Sequence, residues 1–328
     1  MKAGILLTNL GTPEAPTKPA LRRYLKKFLS DPRVVNPPSL GQKIIWKLVL
    51  NFIILPTRPK KSAENYAKIW GKFGSGSPLL DISQMQLDKV KALLDQEFDD
   101  LEFAIGMRYG QPSVHSALRD LRDKGCREII VMPLYPQQSG PTTLSTLDVI
   151  EYELSQWKQH GADVAFVQSY YDDPNYIEAL YQSVMRHQAQ FGKPEKLVMS
   201  YHGMPQRYVD EGDVYYQQCL ATSELLAKRL ELDSEDYVVS FQSVFGKEQW
   251  IKPYTDATLK SLAKDGIKHV QVICPGFSAD CLETLEEIEV ENKDYFLEAG
   301  GERFEYIAAL NDDQAHIQMI VARLSQYL

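Results

Sequence analysis

Residues 103–133, FAIGMRYGQPSVHSALRDLRDKGCREIIVMP, decide the fold. Phe103 to Met107 is apolar and strand-like and leads to a loop at Gly110; Val114 to Lys124 has helical spacing; Gly125 turns; and Glu128 to Met132 is a strand stopped by Pro133. Residues 237–275, YVVSFQSVFGKEQWIKPYTDATLKSLAKDGIKHVQVICP, repeat the pattern. Tyr237 to Phe241 leads to a loop at Gly246, Thr255 to Lys264 is helical, Gly266 turns, and His269 to Cys274 ends at Pro275. The turning glycine and closing proline are eight residues apart in the first copy and nine in the second. The strand that opens each half also matches in form, LLTNLGTP at 6–13 and LVMSYHGMP at 197–205.

Strands alternating with helices of this length build parallel sheets covered on both faces. The chain is therefore expected to be α/β, with two similar Rossmann-like domains, each a parallel sheet flanked by helices. Their expected extents are residues 1–160 and 161–328, with a cleft between them and ligand at the carboxyl ends of the strands.

Past the last strand of the second repeat runs PGFSADCLETLEEIEVE, Pro275 to Glu291. The twelve residues from Asp280 to Glu291 carry six carboxylates and no cation. Glu283, Glu287 and Glu291 recur every four residues and share one face if the segment is helical. Like charges at that spacing destabilise a helix. A solvated acidic face is one reading, and cation handling or proton relay is the other. His202, in the loop after the strand at 197–201, shifts the balance to the second, because it would open at the same sheet edge as Glu283. An imidazole and a carboxylate brought together accept protons near neutral pH and ligate first-row divalent metals. Ser200 is set aside as a nucleophile on the expectation that strand alternation turns it away from His202. The sequence holds no HExxH, GxSxG, Walker or GxGxxG motif.

The net charge of −8 hides an asymmetry: residues 1–61 hold twelve Lys or Arg against Glu14 and Asp31, for +10, leaving −18 elsewhere. A basic end suits an anionic surface or ligand and argues little for nucleic acid. Within it, Ile44 to Leu55, IIWKLVLNFIIL, is apolar at ten of twelve positions. That is short of the roughly 20 residues that span a bilayer, yet very apolar for a surface segment. It is expected as a core helix or an exposed lip, about residues 40–56, followed by Arg58, Lys60 and Lys61. Cys126, Cys219, Cys274 and Cys281 form no CxxC pair, and no signal peptide is visible, so a reducing cytoplasm is expected.

At these residues the chain resembles the ferrochelatase family, enzymes that insert ferrous iron into a porphyrin at the end of haem synthesis. The matching stretches are NLGTP at 9–13, FLSDPRVV at 28–35, GSPL at 76–79, PLYPQ at 133–137, SYHGMPQRY at 200–208, PYT at 253–255 and PGFSADCLETLEEI at 275–288. They run in the family's order from one end to the other. The resemblance implies the chelatase-type fold, protoporphyrin IX and Fe²⁺ as substrates, and release of two protons as protohaem forms. It places the catalytic and metal-contacting pair at His202 and Glu283, an acidic proton or metal path through Glu287 and Glu291, and a porphyrin border at Arg58, Tyr66 and Ser77. It also implies a lip that rests on the inner membrane as a peripheral contact, with a monomer favoured. Val244 stands where the family pattern has arginine, and Gln138 to Gly140 replaces an aromatic and often a cysteine. Gly140 and the lack of a cysteine-bearing extension argue against a [2Fe-2S] cluster, so no permanent cofactor is expected. The alternatives are a chelatase for coproporphyrin or cobalt, and a non-catalytic porphyrin-binding relative.

Overall fold

A computed structural model of the chain describes residues 2–157, 162–246 and 248–328. The first sheet contains β1 (Ala3–Asn9), β2 (Leu101–Met107), β3 (Glu128–Pro133) and β4 (Asp163–Phe166), in the order β2-β1-β3-β4 with every pair parallel. All seven residues of the central strand β1 are buried, as a parallel sheet covered on both faces requires. The helix Val114–Asp123 turns Val114, Ala117, Leu118 and Leu121 inward, onto Leu6 and Val131 of the sheet. A reciprocal cap starts that helix: Ser116 N–H donates to Ser113 Oγ at 3.1 Å and Ser113 N–H donates to Ser116 Oγ at 3.0 Å.

The second sheet contains β5 (Lys196–His202), β6 (Tyr237–Gln242), β7 (His269–Ile273) and β8 (Arg303–Ile307), again all parallel, in the order β6-β5-β7-β8. The strand orders of the two sheets therefore correspond. The helix Thr255–Lys264 packs Leu259 and Ala263 against Val198, Val270 and Val272. A detail of the turns repeats as well: the N–H of Met107 donates to Pro112 O at 2.7 Å, and that of Phe241 to Pro253 O at 2.8 Å. The repeat seen in the sequence is thus a repeat of the fold.

Two units can be distinguished, one comprising Met1–Leu134, Ser139–Gln168 and Ile320–Leu328, the other Tyr135–Gln138 and Ser169–Met319. The boundary expected at residues 160 and 161 lies outside the described residues. The helix Pro78–Leu94 opens on a proline, which suits a first turn.

The apolar stretch of the first unit does not stop at Leu55. It belongs to an unbroken helix, Leu40–Ile69, of 30 residues, which by length and composition is long and apolar enough to cross a membrane. The expectation that the segment is too short to do so holds only for its most apolar part. Residues Leu50–Ile54 form a π-helical turn. Of the two readings, core helix or exposed lip, exposure decides: Leu40, Ile44, Ile45, Leu48, Phe52 and Ile53 are all more than half exposed. Trp46 is held to the helix Lys18–Leu29, its indole N–H donating to Leu29 O at 3.0 Å.

Candidate active site

His202 is the last residue of β5, the strand flanked by β6 and β7, and lies opposite Gln242 in the ladder. It is half-buried. Its Nδ1 sits 2.7 Å from the carbonyl oxygen of Gly203. A carbonyl can only accept, so the proton of the neutral ring is on Nδ1 and the Nε2 lone pair remains for a proton or a metal. The glycine is required for this: a Cβ at 203 would lie 2.8 Å from Gln242 O and 3.0 Å from the Trp250 ring.

Gln242 ties the strand ends to the acidic segment. Its Nε2 donates to Glu283 O at 2.8 Å, and its Oε1 accepts from Ser200 Oγ at 2.7 Å. Ser200 does share the face of His202, contrary to expectation, since residues two apart on a strand point the same way. Burial and bonding, not orientation, remove it from the chemistry: it is fully buried and held by Gln242 and Thr255.

The acidic row is helical, but as a ten-residue π-helix, Glu283–Asn292. Its bonds run to the fifth residue back, so side chains four and five apart lie together. Two side-chain amides bond to its carbonyls, Gln242 at Glu283 and Asn292 Nδ2 at Glu287 O, 2.7 Å. The six carboxylates divide by role. Asp280 is buried and accepts from Thr284, Tyr306 and Asn311, which anchors the start of the helix. Glu286 is buried and Glu289 exposed, while Glu283, Glu287 and Glu291 are intermediate.

Glu287 is held at both ends of its carboxylate. Both its oxygens are taken by Ser243, whose N–H donates to Oε1 at 2.6 Å and whose hydroxyl donates to Oε2. Burial raises its pKa above the ordinary carboxylate value; Ser243 and the nearby His202 pull it down, and Glu283 pushes it up. His202, Glu283 and Glu287 therefore lie within electrostatic reach of one another. Burial and the adjacent Glu283 likewise push the Cys281 thiol up, so it stays protonated. Glu287 and Glu291 both line a pocket of about 240 Å³ together with Gln242, Ser243, Asn292 and Tyr295. Val244, 44% exposed, lines the same pocket.

The three residues expected at a porphyrin border belong to the first unit. Arg58 is exposed on the long helix, and partial desolvation lowers its guanidinium from the ordinary value. Tyr66, on the same helix, is buried, with its ring against Trp70 at 6.3 Å. Ser77 is also buried, and its hydroxyl accepts from Thr12 at 2.8 Å. The glycine-rich loop before it wraps a carboxylate of its own chain: Gly76 N–H donates to Asp81 Oδ2 at 2.9 Å, where a phosphate-binding loop would hold its ligand. Among the expected residues, the structure thus gathers His202, Glu283, Glu287 and Glu291 in the second unit and Arg58, Tyr66 and Ser77 in the first. Gln242, Ser243 and Asp280 were not singled out from the sequence. Only Asp280 left a trace there, as one acid in an acidic run.

The ferrochelatase family model matches residues 2–328. A ferrochelatase of Hydrogenovibrio crunogenus is 60% identical over 95% of this chain and 82% of its own length. A ferrochelatase of Pseudoalteromonas atlantica is 49% identical over 100% of this chain and 89% of its own. Among solved structures, SirB from Bacillus subtilis with Fe³⁺ superposes with a TM-score of 0.58 at 11% identity, covering 99% of this chain and 95% of that one. At that identity the likeness speaks for the chelatase-type fold alone. The sequence matches go further, and by them the chain belongs to the ferrochelatase family, enzymes that insert metal into porphyrin.

Proposed function

We propose that His202 and Glu283 carry the insertion of Fe²⁺ into protoporphyrin IX in this chain, with Glu287 and Glu291 as the acidic path. The single observation behind this is the Nδ1 bond of His202 to Gly203 O, which leaves Nε2 free beside a carboxylate row. A free-base porphyrin must lose two pyrrole protons as the metal enters. His202 Nε2 accepts a proton at the macrocycle, and Glu283 stands as its partner in holding proton or metal. Glu287, whose burial favours the protonated form, and Glu291 connect that point to the pocket they line. Arg58 is the cation of the three border residues, suited to a porphyrin carboxylate. Tyr66 and Ser77, both buried, stand with Arg58 at that border. Fe²⁺ is a substrate, and no permanent cofactor takes part.

A peripheral membrane contact belongs to the same reading. The exposed apolar face of Leu40–Ile69 is accompanied by Lys43, Lys47, Lys60 and Lys61, the pairing of apolar and basic residues that holds a helix at an anionic interface. A cytoplasmic monomer touching the inner membrane is consistent with it.

The test is an anaerobic time course with Fe²⁺ and either protoporphyrin IX or coproporphyrin, following loss of porphyrin fluorescence and gain of haem absorbance. Faster turnover with protoporphyrin IX is expected. Turnover confined to coproporphyrin would replace the substrate, and quenching without metallation would make the chain a porphyrin-binding relative.

A further inference from the structure

Ser243 stands directly after β6 with φ +65°, a conformation that residues with side chains seldom adopt. Strain of this kind persists where the surroundings enforce it. Here it points both donors of one residue at one target: the backbone N–H meets Glu287 Oε1 at 2.6 Å, and the hydroxyl donates to Oε2. The neighbouring Gln242 works on the same helix, donating to Glu283 O at 2.8 Å, while its own carbonyl accepts from Gly203 N–H at 2.8 Å. Through this pair, the end of β6 is tied both to the acidic helix and to the end of β5, where His202 stands.

We propose that Ser243 is a positioning residue for metal insertion, a two-point clamp that fixes the Glu287 carboxylate in one orientation beside His202. A divalent cation moving along the row then meets oxygens already oriented, and no side chain has to be ordered as it arrives. The inference rests on the reading that Glu287 belongs to the path of porphyrin metallation.

Glycine at 243 separates positioning from support. It accepts the positive φ without strain and keeps the N–H, so relief of the backbone offsets part of the cost of the lost hydroxyl bond. Insertion kinetics are measured with Fe²⁺ varied and with porphyrin varied, for the native chain, S243G, E287A and the double variant. S243G is expected to stay folded and to lose about tenfold or more in kcat/KM for Fe²⁺, the effect of one hydrogen bond to a charged group. It should keep its KM for porphyrin and cost nothing further in the E287A background. Native kinetics in S243G, or a loss that adds in full to that of E287A, overturns the proposal. S243A repeats the test with a Cβ retained. A crystal structure of S243G gives a readout independent of turnover: a Glu287 carboxylate turned from its place is expected, and an unmoved one overturns the clamp. Failure of the native chain to metallate porphyrin would instead overturn the function, with the crystal structure still deciding the clamp.

Discussion

The loops after β1 and β5 occupy corresponding places in two sheets of matching strand order, and they differ in what their side chains have left to give. Asn9 is spent: its Nδ2 donates to Ser83 Oγ at 3.1 Å and its Oδ1 accepts from Leu10 N–H at 2.8 Å. Gly11 follows at φ +104°, where a Cβ would lie 2.3 Å from Tyr109 O, and Thr12 is bonded to Ser77. One residue beyond the counterpart of Asn9, at the end of β5, His202 uses one ring nitrogen to fix itself and keeps the other. The segments after β3 and β7 differ in the same sense. Both form a π-helical turn, five residues at Gly140–Leu144 and ten at Glu283–Asn292. The first carries neutral hydroxyls, of which Ser139 bonds Thr142 at 2.7 Å and Thr146 donates to Thr142 O at 3.0 Å. The second carries carboxylates. A shared frame sets where a side chain stands, and the bonds it makes decide whether any chemistry remains to it.

The contrast can be broken most sharply at Glu283. E283Q keeps the shape and removes the charge, and turnover should fall by about 10²-fold or more if the carboxylate holds a proton or metal. Retention of native turnover would reduce the row to a solvated face.

A smaller effect is expected in stability against pH, through His316. It is buried, donates from Nδ1 to Asn311 O at 2.7 Å, and is pushed down to about 4 by burial. Asn311 in turn holds Asp280 at the start of the acidic helix. A histidine depressed in the folded state binds its proton more readily when unfolded. Its contribution is therefore complete above the ordinary histidine pKa and is lost as pH falls from about 6.5 toward 4. At 1.36 kcal/mol per pH unit the loss over that window reaches roughly 3 kcal/mol. Urea melts at pH 7 and pH 5 should show a shallower acid loss in H316Q than in the native chain, and equal slopes would remove His316 as the cause. The smallest effect is expected at the lip, where I45S/F52S should weaken flotation with anionic vesicles. Unchanged flotation, or none by the native chain, would count against a membrane contact.

Much of this was legible in the sequence, for physical reasons. Buried parallel strands are continuous apolar runs, and glycine and proline mark their ends, so Glu128–Pro133 and His269–Ile273 could be placed closely. Histidine after a strand and acids at a fixed spacing are equally visible. Three things were not. The π register of Glu283–Asn292 leaves no mark in the acid spacing, which a four-residue repeat reads as an ordinary helix. The burial of Asp280 depends on Tyr306 and Asn311, more than twenty residues along the chain. The left-handed backbone of Ser243 carries no glycine to announce it. Ser200 was set aside on a mistaken ground, because its face is that of His202; what sets it apart is its burial and its bonds to Gln242 and Thr255.

The most direct measurement sets H202A beside N9A in one assay, recording anaerobic iron insertion and thermal unfolding for each. H202A is expected to melt like the native chain and to lose insertion by about 10³-fold, within the range for a lost general base. N9A is expected to lose about 1–3 kcal/mol of stability, since Ser83 and Leu10 N–H are left without their partner. It should insert iron at close to the native rate while folded. Equal losses of insertion in the two variants, or near-native insertion by H202A, would contradict the assignment of the chemistry to the second unit.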